Sequence, residues 1–120
     1  MLTTAKHFPG RGNVETWPAD PAFTTIKKSA AEMEAQEFAA FKKAIDAGVT
    51  FVMTEHIIVP SVTNGSDLPA SVEKQLATGW LRDRLGFKGL LTTDDLWYDH
   101  AVQSKNAIET CGRAAARPYR

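Results

Sequence analysis

The sequence has few of the features that cross-link a protein, anchor it in a membrane or attract it to a polyanion. Its 120 residues include one cysteine, Cys111, which excludes an intrachain disulfide and cannot by itself form a zinc site. Basic and acidic residues number 14 each, so the net charge does not predict a nucleic-acid or acidic-membrane partner. Because no apolar run approaches roughly 18–20 residues and no signal-peptide pattern opens the chain, we expect a soluble chain without a membrane span.

Three segments have the composition of β-strands. They are short, β-branched or apolar, and they lie at residues 2–5, 49–54 and 87–93. The apolar content of 43% is sufficient for a packed core around such strands, and the length allows at most one ordinary domain.

The segments between these strands have the period of helices. One helix is predicted from a capping box that begins at Ser29 to the stop at Gly48, and a second from residue 70 or 71 to Gly86. The chain can continue as helix after Leu96. This alternation, with connections long enough for parallel crossovers, predicts an α/β fold with a parallel sheet.

A pair of ionisable residues stands at the end of each predicted strand. The pairs are Lys6 with His7, Glu55 with His56, and Asp94 with Asp95. Parallel strands point the same way, so residues beyond their carboxyl ends gather at one rim of the sheet, where α/β folds bind ligands. The three pairs together predict a binding or catalytic rim rather than ordinary strand-end polarity.

Each of these residues taken alone also has a structural interpretation. Lys6 can pair with a carboxylate, His7 or His56 can be satisfied by a backbone carbonyl, and Asp95 can cap a following helix. The two members of each pair should point apart, because side chains alternate along a strand. No His, Asp or Glu residues show a close ligand spacing such as H-E-x-x-H, so no metal site is expected.

Four motifs in register resemble glycoside hydrolase family 3, in its branch of β-N-acetylglucosaminidases. They are KHFPGRG (6–12), AIDAGVTFVMTEHIIVPSV (44–62), LPASVEKQLATGWLRDRLGFKG (68–89) and LLTTDDL (90–96). The resemblance covers about residues 3–95 and leaves the tail from 101 to 120 unmatched. It implies a (β/α)8 barrel, hydrolysis of a terminal β-linked sugar of the N-acetylhexosaminide or glucoside type, a carbohydrate as partner, and no cofactor.

The resemblance also implies roles for individual residues. Asp94 matches the nucleophile that follows the GFxG strand, and Lys6 and His7 match a pair that hydrogen-bonds sugar hydroxyls. His56 matches a histidine that lines the pocket, and Arg82 matches an arginine that we interpret as structural. A retaining glycosidase needs such a carboxylate nucleophile together with a second group that acts as acid and then as base.

The sequence departs from the family at the residues that should supply the acid/base group. The positions that align with the family's Asp-x-His dyad are Trp17, Pro18 and Ala19, and the histidine of the family's GHG motif is Arg11 here, followed by Asn13 in place of aspartate. A displaced acid can substitute, the chain can act on another glycoside, or it can bind sugar without turnover. We expect a divergent hydrolase, and the candidate acids are Glu15, Asp20 and Glu55.

The length raises a further expectation. A (β/α)8 barrel takes about 250 residues, so this chain can supply only about three of the eight strands. We therefore expect it to be a piece of a larger barrel whose missing units are its partners. Alone, an open three-stranded sheet would expose two unpaired edges.

Overall fold

The computed structural model describes residues 1–12 and 24–94 of the chain. Its strands are β1 (Thr4–Phe8), β2 (Phe51–Thr54) and β3 (Leu90–Thr93). They form one parallel sheet in which β2 lies between β1 and β3. Helical segments lie between consecutive strands, so the expected α/β fold with a parallel sheet is confirmed. The helix predicted after Leu96 falls outside the described residues.

The three strands end side by side. Phe8 pairs with Thr54, and Thr54 pairs with Thr93, so the last residues of the strands form one row across the sheet. The N–H of Glu55 donates to Phe8 O at 2.7 Å, and the N–H of Asp94 donates to Thr54 O at 2.9 Å. The residues that follow the strands therefore leave the sheet at one edge.

The first strand is displaced from its predicted position, which corrects the location of the Lys6–His7 pair. We expected a strand over residues 2–5 with the pair beyond it, but both residues lie inside β1. Lys6 still pairs with β2, so the backbone is within the sheet at that point. The strand ends at Phe8 because Pro9 has no N–H to donate to a neighbouring strand.

The other two strands begin later than predicted. The N–H of Val49 donates to Ala44 O at 3.1 Å, and the N–H of Phe87 donates to Leu81 O at 3.0 Å. Both donors are used in the turns that end the preceding helices. The sheet therefore begins only after those turns are complete.

The first helix occupies residues 30–46 and is bounded as predicted. It consists of an α-helical turn (Ala30–Met33), a wider π-helical segment (Glu34–Phe38) and an α-helix (Ala39–Asp46). Ser29 Oγ accepts from the N–H of Glu32 at 3.3 Å, and Glu32 Oε2 accepts from the N–H of Ser29 at 2.8 Å. These two bonds are the predicted capping box, which satisfies two backbone donors at the helix start.

The second helix begins later than the predicted residue 70 or 71. It is a π-helical segment, Gln75–Arg84. The N–H of Val72 instead donates to Pro69 O at 2.9 Å, in a turn that precedes the helix. The helix begins after the buried Glu73. The side chain of Glu73 accepts a hydrogen bond at 2.9 Å from the N–H of Gln75, the first residue of the helix. In the described part of the chain, no helix combines the length and the apolar character needed to cross a membrane.

Aromatic side chains join the sheet to both helices. The ring of Phe8 lies with its centroid 5.8 Å from Phe38 and 5.1 Å from Phe41, both on the first helix. Phe38 in turn lies 4.5 Å from Trp80 of the second helix, whose Nε1 donates to Val62 O at 2.9 Å. The core therefore lies between the helices and one face of the sheet, and Trp80 belongs to it.

On the opposite face of the sheet, several side chains of the described strands are exposed, and we call it the open face. Exposure alternates along the outer strands, and the exposed positions are Thr4, Lys6, Leu90 and Thr92. Side chains alternate between the two faces of a sheet, so these residues share the face opposite the one that carries the buried Val52. Lys6 therefore projects on the side of the sheet opposite the two described helices.

We predict that Phe8→Ala destabilises the chain by about 3–5 kcal/mol, because it removes a fully buried ring and leaves a cavity between the sheet and the first helix. Leu90→Ala is the control, with an expected effect within about 0.5 kcal/mol, because Leu90 is 62% exposed. Urea unfolding followed by circular dichroism measures both. Equal effects of the two substitutions would contradict the described core.

We also predict a pH-dependent contribution from the capping box. The side-chain hydrogen bond from Ser29 and then the backbone bond from Ser29 lower the pKa of Glu32. A lowered pKa in the folded state stabilises the fold above the pKa of the unfolded chain, and this contribution is lost as the pH falls through the folded pKa. Ser29→Ala should raise the pKa of Glu32 in an NMR titration, whereas the exposed Ser61→Ala should leave it unchanged.

Candidate active site

Three of the predicted site residues converge at the carboxyl edge of the sheet. They are His7 of β1, Glu55 directly after β2 and Asp94 directly after β3. His7 Nε2 lies 3.3 Å from Asp94 Oδ2, and one ligand atom from each of the three side chains lies within 4.8 Å of the others. The site is a partly buried group of one imidazole and two carboxylates, which we call the carboxylate cluster.

The alignment of the strand ends builds this cluster. The backbone bonds that continue the ladder fix the main chain of Glu55 against β1 and that of Asp94 against β2. Each acidic side chain therefore begins one residue beyond the same row of the sheet. His7 approaches from within β1, whose register is irregular between Lys6 and Phe8.

Glu55 is held by donors on both carboxylate oxygens. Arg11 Nε donates to Oε2 at 2.6 Å, and the backbone N–H of His56 donates to Oε1 at 3.1 Å. The Glu55 side chain is 10% exposed and that of Arg11 is 45% exposed, so the pair runs from the buried edge of the sheet towards solvent. A carboxylate with both oxygens engaged has a defined orientation.

Arg11 is the site residue that sequence reasoning did not assign. In the sequence it is only the residue that replaces the histidine of the family's GHG motif. Its partner lies 44 residues away, so no local pattern in the sequence could indicate the pairing. The sequence contains two signals that bear on this pairing. One is a glutamate at the end of a predicted strand, and the other is an unusual arginine after the preceding strand.

His56 engages a different part of the chain from its neighbour. Its Nδ1 lies 2.7 Å from Ser71 Oγ, in the segment that precedes the second helix, and the residue is buried. Glu55 and His56 thus have different partners, as the alternation of side chains along a strand predicts. The predicted sugar-binding role of His56 remains a prediction, and Ser71 is a further residue that the sequence did not indicate.

The other candidate residues are distributed differently. Lys6 is exposed on the open face of the sheet, one residue before His7. Arg82 Nη1 donates to the carbonyl oxygens of Phe87 at 3.2 Å and Gly89 at 2.6 Å, which agrees with its structural interpretation because it fixes the approach to β3. The candidates Glu15, Asp20 and Asp95, together with the aligned dyad positions, lie outside the described residues.

The loop that carries Arg11 is seated on the first helix. A Cβ atom added at Gly10, where φ is +103°, would lie 2.6 Å from Glu37 Cγ. Glu37 is itself fixed by Lys28, whose Nζ donates to Oε1 at 2.6 Å. The N–H of Gly10 donates to His7 O at 2.7 Å, so the turn after β1 is held from both sides.

The carboxylate cluster also contains the donor atoms that a divalent metal ion takes in proteins. The sequence predicted no metal site because no close ligand spacing is present. Such spacings describe ligands on one helix, whereas these side chains come from three strands. The cluster could hold a cation, although the Arg11 guanidinium on Glu55 already offsets part of the negative charge that would attract one.

A family model and curated relatives cover nearly the whole chain. The model described as the glycosyl hydrolase family 3 N terminal domain matches residues 1–116. The beta-hexosaminidase of Nitrosospira multiformis is 34% identical over 116 residues, which are 95% of this chain and 32% of that protein. The chain therefore spans about a third of the length of this curated relative.

Solved structures show the same relation. Native NagZ from Neisseria gonorrhoeae superposes with a TM-score of 0.76 at 30% identity, covering 95% of this chain and 31% of that one. The beta-glucoside phosphorylase BglX bound to 2FGlc superposes with a TM-score of 0.81 at 31% identity, covering 94% of this chain and 22% of that one. The chain therefore resembles these proteins in fold as well as in sequence.

We predict that Gly10→Ala destabilises the chain more than Gly65→Ala does. Both glycines have positive φ, so alanine carries a left-handed backbone cost at either position, but only at Gly10 does the new methyl group meet another side chain. The expected additional loss is about 1–3 kcal/mol in urea unfolding. Equal losses would mean that the loop is not seated on Glu37.

Proposed function

The chain belongs to the N-terminal domain of glycosyl hydrolase family 3, and we propose that the protein which carries it hydrolyses terminal β-linked glycosides with retention of configuration. The observation that carries this proposal is the position of Asp94. Its carboxylate lies at the carboxyl edge of a parallel sheet, 3.3 Å from His7 Nε2 and beside a second carboxylate.

The proposed chemistry uses Asp94 as the nucleophile. Its carboxylate attacks the anomeric carbon as the bond to the leaving oxygen breaks, and a second carboxyl group protonates that oxygen. The same group then removes a proton from water, which displaces Asp94 from the glycosyl-enzyme. The histidine contact orients one oxygen of Asp94, and Lys6, His7 and His56 are proposed to hold the hydroxyl groups of the sugar.

We propose that the described sheet forms part of a (β/α)8 barrel. The chain covers between about a fifth and a third of the relatives it matches, and β1 and β3 each have one edge without a neighbour in the described sheet. Further barrel units would pair with those edges and cover the open face that carries Lys6 and Leu90. The missing units are the proposed partners of this chain.

A carbohydrate-binding protein without turnover is the second candidate. The missing dyad at Trp17, Pro18 and Ala19 favours it, because a retaining reaction needs an acid/base group as well as a nucleophile. The two candidates share the sugar-binding residues and differ in the fate of the glycosidic bond. Turnover of aryl β-glycosides therefore distinguishes them.

The nucleophile is tested by covalent trapping in the protein that contains the remaining barrel units. A 2-deoxy-2-fluoro β-glycoside with a dinitrophenyl leaving group should add one sugar mass to the unaltered protein, and proteolysis should place it on Asp94. Asp94→Ala should abolish the label, and the exposed Asp83→Asn is the control that should retain it. The reaction is run with and without phosphate, because one structural relative is a phosphorylase.

Labelling of the Asp94→Ala protein at the original rate would overturn the assignment. Sugar binding without labelling or turnover in the unaltered protein would support the second candidate. A glycosyl phosphate as the sole product would retain Asp94 as nucleophile but replace water with phosphate as acceptor.

A further inference from the structure

We propose that Glu55 is the acid/base carboxyl of the reaction and that Arg11 is the residue that positions it. The inference rests on the proposed function, since it assigns the second carboxyl group that a retaining mechanism requires. It starts from the composition of the carboxylate cluster. In the part of the chain that the structure describes, this cluster contains two carboxylates, Glu55 and Asp94.

The two carboxylates are close to each other, as the retaining reaction requires. One oxygen of Glu55 and one of Asp94 lie within 4.8 Å of each other. Retaining glycosidases place their carboxyl groups about 5–5.5 Å apart, whereas inverting enzymes leave roughly 6.5–9.5 Å for a water molecule. A sugar whose anomeric carbon is in reach of Asp94 therefore brings its leaving oxygen close to Glu55.

Two hydrogen bonds fix the orientation of the Glu55 carboxylate. The N–H of His56 fixes Oε1 on the buried side, and Oε2 is the oxygen that faces the more exposed Arg11. Each carboxylate oxygen has two lone pairs, so Oε2 can exchange a proton through one while Arg11 occupies the other. The guanidinium then stabilises the carboxylate that remains after the proton has left.

The proton balance assigns one step to each form of Glu55. In the first step the Glu55 carboxylic acid gives its proton to the leaving oxygen while Asp94 forms the bond to the anomeric carbon. In the second step the Glu55 carboxylate takes a proton from the incoming water, the oxygen of that water bonds to the anomeric carbon, and Asp94 leaves as a carboxylate. Glu55 ends the cycle protonated, as it began.

A purely structural ion pair is the competing interpretation. Arg11 could serve only to tether the turn after β1, which Gly10 and Glu37 already hold in place. Such a tether would affect folding or stability but would not depend on the leaving group of the substrate. Leaving-group dependence therefore separates the two interpretations.

The experiment compares Glu55→Gln and Glu55→Ala with the unaltered protein that contains the remaining barrel units. For an unactivated alkyl β-glycoside, kcat/KM should fall by about 10²- to 10⁴-fold, because the leaving oxygen needs a proton. Labelling of Asp94 by the activated dinitrophenyl fluoroglycoside should remain within about 10-fold, because that leaving group needs none. With an activated aryl β-glycoside as substrate, azide should restore turnover by the Glu55→Ala protein and yield a β-glycosyl azide.

Glu34→Ala provides the matched control. Glu34 pairs with Arg84 at 3.8 Å on the exposed surface, so its loss removes the same kind of ion pair away from the site. Its kinetics should equal those of the unaltered protein. Thermal unfolding of every variant shows whether the fold is retained, and Glu55→Gln keeps the size of the side chain where Glu55→Ala does not.

Arg11 is tested by the same dependence on the leaving group. Arg11→Ala should lower kcat/KM for the alkyl glycoside more than it slows labelling by the activated fluoroglycoside, and Arg11→Lys should restore part of the loss because it keeps a cation at this position. Combined with Glu55→Ala, the Arg11→Ala change should have no further effect on kcat/KM. Independent, additive losses would contradict the pairing.

The outcomes separate this inference from the proposed function. Asp94 labelling together with full activity of Glu55→Ala on the alkyl glycoside, or the absence of any azide product, overturns Glu55 as acid/base and leaves the nucleophile in place. The complete absence of turnover by the unaltered protein overturns both.

Discussion

The candidate site depends on one constraint, the common end of three parallel strands. Phe8, Thr54 and Thr93 form a single row across the sheet, so the backbone delivers Glu55 and Asp94 to the same edge. Parallel pairing makes this possible because every strand presents the same terminus to that edge. The buried ring of Phe8 ties the row to the first helix, so packing and site geometry share one residue.

Two ion pairs and one histidine contact hold the site and the turn beside it. Arg11 pairs with Glu55, His7 contacts Asp94, and Lys28 pairs with Glu37 beneath the turn that carries Arg11. Two carboxylates close together repel each other, so nearby donors are needed to keep both in defined positions. The turn after β1 thus combines a structural role, through its seat on the first helix, with the proposed positioning of a catalytic group.

The described sheet has exposed positions on one face and unpaired edges. One face packs on the helices, while the other carries exposed residues such as Leu90, and β1 and β3 each lack a neighbour on one side within the described sheet. Unpaired edges and an exposed face are unusual in an α/β protein, whose parallel sheets are normally buried on both sides. The proposed barrel would supply both the missing stability and the remaining walls of the sugar site.

The sequence by itself determined the alternation of strands and helices, the capping box at Ser29, the position of Asp94 at a strand end and the family, because these depend on local spacing and residue type. It placed the start of the second helix too early, because the turn from Pro69 to Val72 resembles a helix start in sequence. It also ended β1 too early, because the polar Lys6 and His7 resemble the end of a strand. Only the tertiary structure decided that Arg11 meets Glu55 and that His7 meets Asp94. Those contacts join strands and loops through the sheet register, which no local pattern encodes.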